Sequence, residues 1–178
     1  MMLEKLFSAL PETQQELKQN FQTLVTECEN CGLSPAQLYG VMLSSSYATK
    51  NQQVFNYIQE EAKDTFSQET TSLIKSIVTA ISISNFYYRF VELAHDNELS
   101  SLPMGLATRF LQAPGINRLD FALYALATSI INGSGHCIKE HFTHLIQYGL
   151  SKTAIQLAAK ITALINSISL VLTVENQT

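Results

Sequence analysis

Charge is scarce in this chain. Asp, Glu, Lys and Arg make up 15% of its 178 residues, where about 25% is usual for a globular domain. Eleven Lys and Arg stand against fifteen Asp and Glu, giving a net charge of −4 and a pI near 5.5. No large basic patch is possible on that balance, so a nucleic-acid-binding surface is not expected. With a mean hydropathy of +0.08, few charges remain to cover a monomer, which predicts that some surface is buried against other subunits. Cysteine is scarce as well. Three cysteines exclude a disulfide framework, and the odd count suits reduced thiols in a reducing, cytoplasmic setting. Met1-Met2-Leu3-Glu4-Lys5-Leu6-Phe7 carries an acid early and no apolar run behind it, so no secretory signal is expected. The most apolar stretch, Ala154 to Leu172, is interrupted by Gln156, Lys160, Asn166 and several serines. It reads as a buried helix, and no membrane association is expected. Strand alternation, low-complexity tracts and internal repeats are absent.

What remains is helical. Hydrophobic residues make up 46% of a 19.8 kDa chain, enough for one domain over residues 1–178 with a full core. After Pro11, the residues Leu17, Phe21, Leu24, Val25 and Cys28 form one helical stripe. Pro11 suits the first turn of that helix. Gly32 stops it, and Ser34-Pro35-Ala36-Gln37 reads as a capping box that starts the next, running to about Lys50. A short acidic helix should cover Gln52 to Lys63. Ser67 caps a long one reaching roughly Ala94. Asp96 to Ser101 reads as a polar loop, and Pro103 as the start of a short helix ending before the Pro114-Gly115 turn. A helix from about Leu119 to Ile131 breaks at Asn132-Gly133. Another begins at Ser134 and stops at Gly149, and Ser151 caps the last. The expected fold is all-α, with eight or nine helices and a helix hairpin at about 117–149.

The chemistry-bearing stretch is Asn132-Gly133-Ser134-Gly135-His136-Cys137-Ile138-Lys139-Glu140-His141. Asn132-Gly133 ends one helix and Ser134 is placed to cap the next. Cys137 then falls in the first turn, where free N–H groups and the helix dipole favour a thiolate and predict a lowered pKa. His141 lies one turn on and can take the thiol proton. Ser134, Cys137 and His141, at i, i+3 and i+7, can line one cleft, while Ile138, Phe142, Leu145 and Ile146 anchor the helix. Spacing alone leaves alternatives open. Cys137 can be a small core residue, and His136, His141 and His144 can be partners of backbone carbonyls. Cys137, His141 and His144 at i, i+4 and i+7 also suggest zinc, but a fourth ligand with suitable spacing is missing. Cys28-Glu29-Asn30-Cys31 has C-x-x-C spacing, yet it sits at the negative end of a helix among acids, so core packing is the expected role of Cys28.

The run Asn132-Gly133-Ser134-x-His136-Cys137-x-x-x-His141 resembles the N-G-C-x-H-C-x-x-x-H signature of AhpD-type alkylhydroperoxidases, within the carboxymuconolactone decarboxylase superfamily. Leu3-Glu4-Lys5-Leu6 to Ala9-Leu10-Pro11-Glu12 is similar to the family's opening. Asn85-Phe86-Tyr87-Tyr88-Arg89 resembles its central N-x-x-Y-R stretch, Pro114-Gly115-Ile116 its turn before the motif helices, and Ala158 to Val174 its closing helix. The resemblance implies an all-helical subunit that assembles, typically as a homotrimer. It implies a thiol peroxidase and disulfide reductase that supports the peroxiredoxin AhpC. No bound cofactor is implied; electrons come from dihydrolipoamide on a lipoyl-bearing dehydrogenase subunit. On this resemblance Cys137 attacks peroxide, Ser134 holds the position of its disulfide partner, His141 belongs to the proton relay, and His136 stands between the two cysteine positions.

Two positions depart from the pattern. Ser134 stands where the family has cysteine, whether as an engineered change or in a natural single-cysteine variant. A hydroxyl cannot form a disulfide, so Cys137 can be oxidised but not resolved within the motif. The family's relay glutamate, twelve residues before the first motif cysteine, is here Ala122. Asp120 lies about 200° around the helix and should point elsewhere. The leading reading is an antioxidant peroxidase impaired at residue 134, whose Cys137 labels faster than Cys28 or Cys31. A second is a catalytically decayed module that binds AhpC or lipoyl-bearing subunits. A third is a lactone decarboxylase, which nothing in the motif favours.

Overall fold

The computed structural model describes residues 3–27, 32–106 and 115–175. Among these residues there are nine α-helices and no strand. They are α1 (Glu4–Ser8), α2 (Gln15–Glu27), α3 (Pro35–Ala48), α4 (Gln52–Glu61), α5 (Gln68–Ala94), α6 (Asn97–Ser101), α7 (Arg118–Asn132), α8 (Gly135–Gln147) and α9 (Lys152–Glu175). Pro11 precedes a single 3-10 turn, Glu12–Gln14, so α2 starts four residues after it. The caps sit where short polar side chains predict them. Ser34 and Gln37 form the reciprocal capping box, and the side-chain oxygens of Asn51, Ser67, Asn117 and Ser151 accept from Val54, Thr70, Asp120 and Ala154 N–H.

Asp96 to Ser101 is not a loop. Asp96 Oδ1 accepts the Leu99 N–H at 2.7 Å, placing a carboxylate at the positive end of the short helix α6. Ser100 and Ser101 turn their hydroxyls onto the carbonyls of Asp96 and Glu98. A helix held by caps and side-chain bonds has no apolar stripe, so periodicity does not reveal it. Residues 103–106 are not helical. The rest of the helix expected after Pro103, Pro114 of the turn, and both cysteines of the C-x-x-C pair lie outside the described residues.

Helix α7 is the axis of the fold. Ala122 through Ser129 are all buried, and the helix packs against α3, α5, α8 and α9. Its neighbour α3 approaches closely because Gly40 faces the Tyr124 ring, with no room for a side chain between them. Helix α9 buries Ala154, Ala158, Ile161, Ile165, Ile168 and Leu172, a stripe at alternating spacings of four and three. Each fully buried isoleucine there contributes roughly 1.5–3 kcal/mol of transfer free energy. Its opposite face carries the exposed Gln156, Lys160 and Asn166. Lys152–Val174 is long and apolar enough to cross a membrane by length and composition alone, but its apolar stripe is buried in this core. Polar bonds fix its register. Asn51 Nδ2 donates to Ser169 O and Thr173 Oγ1, and Ser45 Oγ meets Thr162 Oγ1 at 3.1 Å.

Candidate active site

The site begins where α7 ends. Gly133 takes φ 65°, the left-handed conformation that glycine adopts without strain. Its N–H donates to Ile130 O and the Ser134 N–H to Ser129 O, the paired closure that ends many helices. Arg89, from α5, donates Nη1 to Asn132 O at 3.2 Å, placing a cation at the negative end of α7. With only this turn between them, α8 starts at once and runs back along α7.

Ser134, Cys137 and His141 share the inward face of α8. All three are buried, at 0%, 2% and 7% exposure. His136 points outward and stacks on Tyr88 with ring centroids 4.8 Å apart. Buried polar atoms without partners occur on these elements. Ser134 Oγ and His141 Nδ1 have none, and neither does Asn85 Nδ2 on the facing helix α5.

Relatives match this sequence along nearly its whole length. The Carboxymuconolactone decarboxylase family matches residues 98–173, from α6 through most of α9. The alkyl hydroperoxide reductase AhpD of Coxiella burnetii (strain RSA 493 / Nine Mile phase I) is 38% identical over 177 residues, 99% of this chain and 100% of the relative. Proteins of the same name from Maricaulis maris and Koribacter versatilis are 35% and 33% identical, covering 99% and 98% of this chain and 100% and 89% of the relatives. The chain belongs to the AhpD-type branch of the carboxymuconolactone decarboxylase superfamily.

In this AhpD-type chain the thiol differs from the sequence expectation. Burial pushes the Cys137 thiol above the ordinary thiol value, and the carboxylates of Glu140 and Glu92 push the same way. The neighbouring Ser134 hydroxyl pulls it down, though without a well-aligned hydrogen bond. Desolvation therefore outweighs the helix dipole that predicted a thiolate. The expected head start of Cys137 in alkylation at neutral pH loses its basis. Ser134 also fails to cap. It occupies the N-cap position, but its hydroxyl turns inward and accepts no α8 N–H.

Burial acts on His141 in the opposite sense, lowering its pKa to about 4; Glu140 raises it and His144 lowers it by smaller amounts. At neutral pH the imidazole is uncharged and can accept a proton. This depressed value has a stability consequence. As pH falls from about 6.5 towards 4, the unfolded chain binds a proton at His141 that the folded chain refuses, so stability is lost over that window, by up to about 3 kcal/mol. Urea unfolding at pH 7 and pH 4.5 should show a larger acid loss for the parent than for His141→Gln, which carries no titrating ring. An equal loss in both would contradict a neutral buried imidazole.

The position at which the resemblance places a relay glutamate holds no acid. Ala122 is buried in the core, and Asp120 turns away, accepting from Gln37 Nε2 at 2.9 Å and Asn117 Nδ2 at 2.8 Å. The carboxylates whose charge reaches Cys137 are Glu140 and Glu92. Glu92 stands against the start of α8, where a Cβ on Gly135 would lie 3.1 Å from its Oε1. No motif marks Glu92, although Asn85, Tyr88, Arg89 and Glu92 at i, i+3, i+4 and i+7 share one face of α5. The zinc alternative gains no support. His141 and His144 have ring centroids 6.5 Å apart, and among the described residues no group of three or more His, Cys, Asp or Glu gathers for a metal.

Proposed function

We propose that this chain is an alkylhydroperoxidase-type oxidoreductase in which Cys137 reduces organic hydroperoxides. The observation that carries this reading is the burial of Cys137 and a neutral His141 on one face of α8, one helical turn apart. The relatives named alkyl hydroperoxide reductase AhpD support it. His141 accepts the thiol proton as Sγ attacks the distal peroxide oxygen. The S–O bond forms as the O–O bond breaks, and the proton passes to the departing alkoxide. Sulfur is oxidised by two electrons to the sulfenic acid, and the hydroperoxide becomes the alcohol plus that transferred oxygen. Ser134 cannot resolve the sulfenic acid. An external dithiol, dihydrolipoamide on a lipoyl-bearing subunit, restores the thiol, releasing water and becoming the cyclic disulfide. AhpC is the peroxiredoxin this chemistry would serve, in the cytoplasm. Titration of the reduced chain with cumene hydroperoxide should consume about one equivalent per Cys137 and stop until dithiol is added. No consumption while the thiol stays intact would remove the peroxidase reading.

The apolar stripe of Ile83, Phe86, Phe90 and Leu93 on α5 is exposed over three turns, a surface suited to a second copy of this chain. It supports assembly as a homotrimer. Light scattering should give three times 19.8 kDa, and a single-chain mass would contradict it. The raised thiol pKa and the burial of Cys137 favour one other reading, a module that binds AhpC or lipoyl-bearing subunits after losing its chemistry at Ser134 and Ala122. Capture of such partners by a chain that stays inert after Ser134→Cys would establish it.

A further inference from the structure

One face of α5 grips the α7–α8 turn residue by residue. Asn85 Oδ1 accepts from Ser129 Oγ at 2.9 Å, Tyr88 stacks on His136, Arg89 holds Asn132 O, and Glu92 stands against Gly135. Tyr88, Arg89 and Glu92 reach the surface. Asn85 is different. It is fully buried, its carbonyl end is fixed by Ser129, and its Nδ2 donor has no acceptor. Ser129 in turn accepts the Ser134 N–H through its backbone oxygen at 3.2 Å, so two hydrogen-bonded links connect the Asn85 amide to the first motif position.

A buried amide donor without an acceptor is costly and uncommon in a folded chain. Among the described residues four buried side-chain atoms lack partners, and three of them are Asn85 Nδ2, Ser134 Oγ and His141 Nδ1. The fourth, Ser44 Oγ, is on α3. Ser134 and His141 flank Cys137 at one helical turn on either side, and Asn85 is joined to the start of α8 through Ser129. Together they offer one fixed donor, one hydroxyl that gives or accepts, and one imidazole nitrogen. A hydroperoxide group carries one O–H donor and lone pairs on both oxygens, which complements that set.

We propose that Asn85 is a hydroperoxide-binding residue of the Cys137 site, donating its Nδ2–H to the oxygen that leaves as the O–O bond breaks. The inference rests on the peroxidase reading above. The negative charge that develops on the alkoxide oxygen strengthens this bond as the S–O bond forms, so the donor acts on the transition state more than on the bound substrate. Ser129 is the positioning residue, since it fixes the amide through Oδ1 and leaves Nδ2 free.

The test compares two reactions of the same sulfur in the full-length chain. One is sulfenic acid formation with cumene hydroperoxide, trapped by dimedone. The other is alkylation by iodoacetamide, in which no oxygen departs. Asn85→Leu should slow the peroxide reaction about 10²-fold relative to alkylation, the loss seen when one oxyanion donor is removed. Ser129→Ala keeps the amide and guards against misfolding of the first variant; it should lower the same ratio by a smaller factor, about tenfold, because the donor is no longer aimed. An unchanged ratio in both variants overturns the assignment and leaves Asn85 as a tie between α5 and α7. A parent chain that forms no sulfenic acid while alkylating normally overturns the peroxidase reading, and the assignment falls with it.

Discussion

Ser134→Cys should convert a chain that stops after one oxidation into one that turns over. With oxygen at residue 134, a sulfenic acid on Cys137 would wait for a thiol from solution. With sulfur there, the resolving thiol stands three residues away on the same helix face. Ser134 is buried, its hydroxyl faces inward and has no partner, and its influence already reaches the Cys137 thiol. A thiol fits that place without breaking a cap, because the serine makes none. Attack within the motif forms the Ser134→Cys–Cys137 disulfide and releases water, and dihydrolipoamide then reduces it by exchange. Converting a bimolecular resolution into an intramolecular one should raise steady-state turnover by about 10²-fold or more over the serine form. Hydroperoxide consumption at fixed dihydrolipoamide measures it. Equal rates for the two forms would show that residue 134 does not limit the cycle.

Gly40→Ala should destabilise the chain, against the usual sign for such a change inside a helix. Alanine is favoured over glycine in helices by about 1 kcal/mol. Here the added methyl would overlap Cε1, Cζ and Oη of Tyr124, whose ring is itself buried against α3. The ring cannot swing into solvent without opening the α3–α7 contact. Overpacking costs about 1–3 kcal/mol, and more where the overlap is this close, so after the helix-propensity gain the melting temperature should still fall by about a few degrees for a chain of this size. Tyr124→Leu vacates the space, and the double variant should be more stable than the sum of the two single changes predicts. A rise in melting temperature for Gly40→Ala alone would mean that α3 and α7 do not meet at this point.

Most of the architecture could be read from residue types because local signals agree with the packing. Ser34, Ser67 and Ser151 start helices through bonds to backbone N–H groups three residues on, and Gly133 ends one through its positive φ. Those are local effects and need no tertiary context. The Ala154-to-Leu172 stretch was legible as a buried helix because Gln156, Lys160 and Asn166, which interrupt it, fall on its exposed side. Helix α6 was hidden because it has no apolar face. The site was legible in composition and spacing but not in electrostatics. Cys137 at a helix start predicts a low pKa only while water reaches the sulfur. Burial by α5 and α7 reverses that sign, and no local pattern reports the depth of a helix in its bundle. The spacing of Asn85, Tyr88, Arg89 and Glu92 shows that they share one face of α5, but not that this face crosses a turn more than forty residues away in the chain.

The central claim is that a buried sulfur at the start of α8, served by a neutral imidazole, takes oxygen from a hydroperoxide. The most direct measurement is peptide mass spectrometry after exposing the reduced chain to cumene hydroperoxide and dimedone. The dimedone adduct is predicted on Cys137, and its yield should fall strongly in His141→Ala. A Cys137 peptide that stays unlabelled in the folded chain, yet alkylates freely once the chain is unfolded, would contradict the account.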